Sequence, residues 1–191
     1  MVAIRAGYAI PYGKVEKGSG KEMSNLFTGQ VPFLAELGWH VNPAFLIGGY
    51  LGLAFGGAAG HEKDHCKFDQ ASCAAVSARL GLEFQYHFLP AQPADPWLGY
   101  GIGLELASLS EKSSPRNETN TLSGFEYAHL MGGVDFRLGK RFGLGPVVDY
   151  AFGRYSRQAI EYDNTRTIDQ GITQQADHQW LTIGVRGVFY P

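Results

Sequence analysis

The chain has 191 residues, with 16 Lys and Arg against 18 Asp and Glu, a formal charge of -2, 26 Gly and 13% aromatic residues. That length suits one barrel or one to two ordinary domains, and abundant Gly and aromatics with only 18% charged residues lean toward β structure. The charge balance gives no basic footprint and the chain has no Lys/Arg run, which excludes nucleic-acid binding.

Segment 2–12 sets Val2, Ile4, Ala6, Tyr8, Ile10 and Tyr12 against Ala3, Arg5, Gly7 and Ala9, the period of two that belongs to a strand. Met1 leads straight into it without a basic and then apolar leader, so Met1 is expected to stand where a leader was removed on export. After a polar stretch at 13–26, segment 27–41 alternates Val31, Phe33, Ala35, Leu37, Trp39 and Val41 with Gln30, Glu36, Gly38 and His40. Asn42-Pro43 then turns the chain within a couple of residues.

Segment 44–56 sends Phe45, Ile47, Leu51, Leu53 and Phe55 one way, and Gly48, Tyr50, Gly52 and Ala54 the other. Residues 41–60 carry no charge and space Gly48, Gly52 and Gly56 by four, which also fits a membrane helix with a GxxxG face. The Gly density, Pro43 at its start and strand-like neighbours favour the strand. Following the polar loop 57–73, segment 74–89 is the cleanest: Val76, Ala78, Leu80, Leu82, Phe84, Tyr86 and Phe88 oppose Ser77, Arg79, Gly81, Glu83, Gln85 and His87.

LPAQPADP at 89–96 is a stiff turn, and segment 97–108 points Leu98, Tyr100, Ile102, Leu104 and Leu106 opposite Gly99, Gly101, Gly103 and Glu105. Beyond the polar loop 109–122, segment 124–138 alternates Ala128, Leu130, Val134, Phe136 and Leu138 with Tyr127, His129, Met131, Asp135 and Arg137. Gly139-Lys140 makes a tight hairpin into segment 141–155, where Phe142, Leu144, Val148, Tyr150 and Phe152 oppose Gly145, Asp149, Ala151 and Gly153. A polar loop, 156–177, precedes segment 179–190, which sets Leu181, Ile183, Val185 and Phe189 against Thr182, Gly184 and Arg186.

In all eight segments the bulky face is apolar and uncharged, while the opposite face mixes ions with glycine. A soluble ligand-carrying barrel such as a lipocalin would reverse this, with apolar residues inside and charges in water. The greasy face must meet lipid, where open sheet edges are forbidden and the strands close into a barrel. The connections alternate long and short, so four polar loops fall on one side and three tight turns join both termini on the other. The expectation is an all-β fold over 1–191 as a single domain, an eight-stranded antiparallel transmembrane up-and-down β-barrel. Outward aromatics sort into two girdles: Trp39, Phe45, Tyr86, Phe88, Tyr100, Phe136, Phe142 and Phe189 toward the tight turns, and Tyr12, Phe27, Phe55, Tyr150 and Phe152 toward the long loops.

With this pattern and loop asymmetry the whole chain resembles the eight-stranded outer-membrane barrels of Gram-negative bacteria, the group containing the OmpA transmembrane domain, OmpX and OmpW. The resemblance is architectural, without a diagnostic motif. Many such proteins end on an aromatic residue, whereas here Phe189 and Tyr190 are followed by Pro191. It implies a bacterial outer-membrane location, extracellular long loops, periplasmic termini, surrounding lipid and lipopolysaccharide, and a monomer.

Arg5, Arg79, Arg137 and Arg186 share the inward parity with Glu36, Glu83, Glu105, Asp135 and Asp149. An eight-stranded barrel is just wide enough for side chains to fill, so these charges are expected to pair as a lumen network, with a narrow or gated conduit as the alternative. Barrel enzymes that act on lipid use a His, Ser and acidic set. His40, His87 and His129 are inward with Ser77 and Ser123 as hydroxyl candidates, but strand direction places His40 and His87 at the opposite end from Ser77, so no catalytic site is expected. Cys66 and Cys73 sit in one polar loop, where a disulfide is expected if the compartment is oxidising; two free thiols or a metal pair are the alternatives. His61, Glu62, Asp64, His65 and Cys66 read as a solvated tip rather than a zinc or copper site, and no metal or cofactor is expected. Asn117-Glu118-Thr119 matches a glycosylation sequon and carries no functional weight here. The functional expectation is a non-enzymatic surface protein for envelope integrity, adhesion or binding of a surface ligand or partner protein through its long loops. A narrow channel and a lipid-modifying enzyme are the alternatives.

Overall fold

The structure, a computed structural model, describes residues 1–18, 22–59, 72–112, 117–162 and 165–190. Its strands are β1 (Val2–Gly13), β2 (Phe27–Asn42), β3 (Phe45–Ala58), β4 (Ser72–His87), β5 (Ala94–Lys112), β6 (Asn117–Arg137), β7 (Phe142–Tyr162), β8 (Thr165–Gly171) and β9 (Asp177–Phe189), with one helical turn, α1 (Met23–Leu26), before β2. Strands β1 to β7 pair in chain order, β7 pairs with β9, and β9 with β1, all antiparallel, so eight strands form a closed ring. Among the described residues β8 pairs with β7 alone, as a hairpin standing beyond the ring.

The orientation follows the alternation. Leu80, Leu82 and Phe84 are 58%, 61% and 41% exposed, while Glu83 between them is fully buried. Large apolar side chains from all eight ring strands cover the outside in this way, and a surface of that extent is stable only against lipid. The uncharged stretch with four-spaced glycines is β3, paired along its length with β2 and β4. Glycine is too costly in a helix, whereas a strand in this ring needs its missing side chain for room.

That need is clearest where the inward ring of Tyr50 lies across Gly81, Gly101 and Gly103. A Cβ on Gly81 would stand 2.4 Å from the Tyr50 hydroxyl and one on Gly103 2.6 Å from it. At the tight-turn end, Asn42 Oδ1 accepts hydrogen bonds from the backbone N–H groups of Ala44 and Phe45, both at 2.9 Å, which builds the short β2–β3 turn. Val2 pairs with both Leu37 and Phe189, so the two chain ends lie on this same side.

Three features depart from the sequence reading. First, much of the expected loops 109–122 and 156–177 is strand: β6 and β7 each run 21 residues, about twice the 9–11 a crossing requires. Their upper halves hold together through cross-strand polar pairs, including Ser108 with Thr121 at 2.9 Å and Gln158 with Asn120 at 3.0 Å, so no apolar face announces them. Second, a register shift between Phe27 and Gln30 turns Phe27 inward, where it is buried and tilts against Trp180 at 6.1 Å. It does not belong to the outward girdle. Third, a shift between Glu126 and Ala128 inverts the phase of β6, so Tyr127 faces out and Glu126 faces in.

Candidate functional site in the charged lumen

The lumen fills in tiers. At the tight-turn end His87 Nδ1 lies 2.9 Å from Asp95 Oδ2, and the His40 ring packs against His87 at 5.7 Å and against Tyr190 at 6.4 Å. Above them the Arg186 guanidinium lies over Trp97 at 4.3 Å. It donates through Nη1 to Asp135 at 2.7 Å and through Nη2 to Glu36 at 2.9 Å and Gln85 at 2.8 Å.

Arg5 follows, donating from Nε to Glu36, from Nη2 to Glu83 at 3.1 Å and from Nη1 to Asp149 at 3.4 Å. Its partners come from β2, β4 and β7, so one side chain ties together three sides of the cylinder. His129 sits higher, with Nδ1 3.0 Å from Glu126 and Nε2 3.4 Å from Asp149.

The next tier centres on Glu105, which accepts from Arg79 at 3.4 Å, the Tyr155 hydroxyl at 2.9 Å and Trp180 Nε1 at 2.9 Å, with His178 Nε2 at 3.0 Å. Tyr50 donates to Glu126 at 2.6 Å, and the Arg79 guanidinium reaches Glu126 at 3.5 Å. A buried ion without such partners would cost several kcal/mol, so the tiers exist as a connected set or not at all.

Above the ions the chemistry changes. Ala9, Val15, Met23, Phe27, Leu122 and Ile172 join the inner faces of Tyr155 and Trp180 in an apolar cluster, with Leu26 packed on it. Val15, Met23 and Ile172 come from the connections between strands, which fold into the mouth and close it. A void of about 10 Å³ remains beside Gln30, Ser77, Arg79 and Trp180. That is room for about one water molecule.

Of the inward charges read from the sequence, Arg5, Glu36, Arg79, Glu83, Glu105, Asp135, Asp149 and Arg186 are brought together in these tiers. Arg137 is not. It is exposed at the rim, where it donates to the Pro90 carbonyl and lies over Tyr190 at 5.2 Å. Its parity is inward, but it is the last residue of β6, at the open end of the cylinder.

Glu126, Asp95 and His178 belong to the network and were missed. Glu126 was hidden by the bulge, Asp95 by the proline-rich turn around it, and His178 by its place before the expected start of the last strand. Ser77 and His87 lie ten residues apart on β4, roughly 33 Å at ~3.3 Å per residue, so no Ser and His pair assembles from them. Ser123 contributes its carbonyl, at 3.5 Å from the Ser156 hydroxyl. Cys73 lies at the start of β4, whereas Cys66 and the run His61, Glu62, Asp64 and His65 lie outside the described residues, and the expectations for a disulfide and for that loop tip fall there with them. Asn117 is exposed at the start of β6.

No protein-family model matches the chain, and no curated protein matches it by sequence. Solved structures do. Neisserial surface protein A aligns over 99% of this chain and 97% of its own, at a TM-score of 0.54 and 15% identity. A major outer membrane protein from Thermus thermophilus aligns over 100% of both chains, at 0.55 and 12% identity. The fold is that of the eight-stranded outer-membrane β-barrels. OprG from Pseudomonas aeruginosa shares it, at a TM-score of 0.54 and 10% identity over 99% of this chain and 95% of its own. At such identities the outer-membrane barrel fold is what carries over, and the lumen must be understood from its own residues.

Proposed function

We propose that the protein is a non-conducting, non-enzymatic barrel of the bacterial outer membrane that acts at the cell surface. Its long connections and the tall wall of β5 to β8 face outward from the cell, and its termini and tight turns face the periplasm. Lipid and lipopolysaccharide surround it as a monomer, and its polar wall and loops take part in surface binding, adhesion or envelope integrity. The observation that carries this reading is the lumen, filled from His87 at one end to the Met23 cluster at the other. Residues that function must then lie on the outside, and the polar wall is the part that leaves the membrane.

Single-channel recording in a planar bilayer tests it. No discrete openings are expected, and regular openings would replace this reading with the narrow channel. The channel draws its support from the mouth seal, where Val15, Met23 and Ile172 come from connections rather than from the paired strands. Dependence on detergent together with heat-modifiable gel mobility tests the membrane placement. For lipid modification, the mass spectrum of lipid A after expression is expected to be unchanged.

A further inference from the structure

We propose that the outward groove where β6, β7 and β9 meet, at the long-loop edge of the apolar belt, binds the phosphorylated sugar head of an outer-leaflet glycolipid, with Arg154 as the phosphate ligand. This rests on the outer-membrane placement above.

The outward positions change character in register as the strands rise. Val148 pairs with Ile183, Tyr150 with Leu130 and Leu181, and Phe152 with Gln179, and then Arg154 stands between Phe125 and Asp177. The rings of Phe152 and Tyr127, 6.4 Å apart, mark where hydrocarbon gives way to headgroups. Arg154 is two residues farther along the same face, about 7 Å by strand rise. That is the depth at which lipid phosphates begin.

The groove there has a volume of about 510 Å³, lined by Phe125, Tyr127, Arg154, Ser156 and Gln175. Exposed rings of Phe125 and Tyr127 offer flat apolar faces to a sugar, and Ser156 and Gln175 offer polar groups at the upper rim. Arg154 is held in place by Asp177, whose Oδ1 takes Nε at 2.8 Å and Nη2 at 2.7 Å. Nη1 has no protein partner among the described residues, and the side chain stays 46% exposed. A guanidinium held from the β9 side in this way keeps Nη1 for an incoming phosphate. Arg157 makes a useful contrast. It is held by Asp169 through the same two donors, Nε at 2.7 Å and Nη2 at 2.5 Å, but it stands where β7 pairs with the β8 hairpin, away from the aromatic row.

Native mass spectrometry of the full chain in detergent, with bisphosphorylated lipid A, the same lipid dephosphorylated, and phosphatidylglycerol, tests the site. Dephosphorylation and Arg154→Gln are each expected to cut retention of lipid A about tenfold, with Arg157→Gln within about twofold of the parent. Heat-modifiable mobility confirms that both variants fold. Undiminished retention by Arg154→Gln, equal retention of the dephosphorylated lipid, or displacement by phosphatidylglycerol at equal concentration would each overturn the proposal. A chain that stays monodisperse without detergent would instead overturn the membrane placement, a separate result.

Discussion

The two halves of the lumen are closed by opposite means. The half toward the tight turns is filled by ions donated from strands: Arg186 on β9, Arg5 on β1, and carboxylates on β2, β4, β6 and β7. The half toward the long connections is filled by apolar side chains, three of which, Val15, Met23 and Ile172, belong to no strand. An ionic plug is tied to the cylinder, since removing one partner strands another charge in a dry place. The part of the apolar seal contributed by connections can be lost without unpairing any ladder. The lower half is therefore part of what holds the barrel, and the upper half is a cover on it.

Breaking the ionic half should have the largest effect. Arg186→Ala removes the donor to Glu36, Asp135 and Gln85 at once, and a loss of about 3–5 kcal/mol in unfolding free energy is expected, read from the urea midpoint of the gel-mobility shift. A midpoint unchanged from the parent would mean that the ions are ornaments. Next comes Gly81→Ala. Its Cβ would stand 2.4 Å from both the Ile102 carbonyl and the Tyr50 hydroxyl, so about 1–3 kcal/mol is expected to be lost in the same assay.

Met23→Asp probes the cover. It should leave the ladders intact, since a charge that cannot stay buried displaces the cover rather than a strand, yet it should produce no channel openings, because the ions below still block the path. Openings in this variant alone would show that the cover, not the ions, is the barrier. Ser108→Ala removes one side of the Ser108 and Thr121 pair on the exposed wall and is expected to stay within about 0.5 kcal/mol of the parent.

The same contrast explains what could be read from residues alone. Where a strand has lipid on one side and ions on the other, alternation is forced at each step, and β1, β3 and β4 follow it closely. Outside the membrane both faces of β6 and β7 are polar, so nothing in the order of Asn120, Thr121 or Gln158 distinguishes strand from loop. Bulges escape for another reason. The extra residue near Tyr127 keeps the composition and inverts the phase, which puts Glu126 rather than Tyr127 in the interior, and the separate shift between Phe27 and Gln30 turns Phe27 inward. The groove beside Arg154 depends on that same inversion, since Tyr127 lines it only because the phase is broken.

One property of the ion tiers bears on how such a molecule is made. Arg186 and Glu36 are 150 positions apart, and Arg5 and Asp149 are 144 apart, so the main contacts join the beginning of the chain to its end. Until β9 meets β1, a partly assembled sheet carries its guanidiniums and carboxylates on a face with no opposite wall. Such a sheet is as ill-suited to acyl chains on that side as it is to water on the other. Entry into the bilayer and the final zipping of the first strand to the last must therefore happen together, and a chain shortened before Arg186 would have no stable place in either solvent.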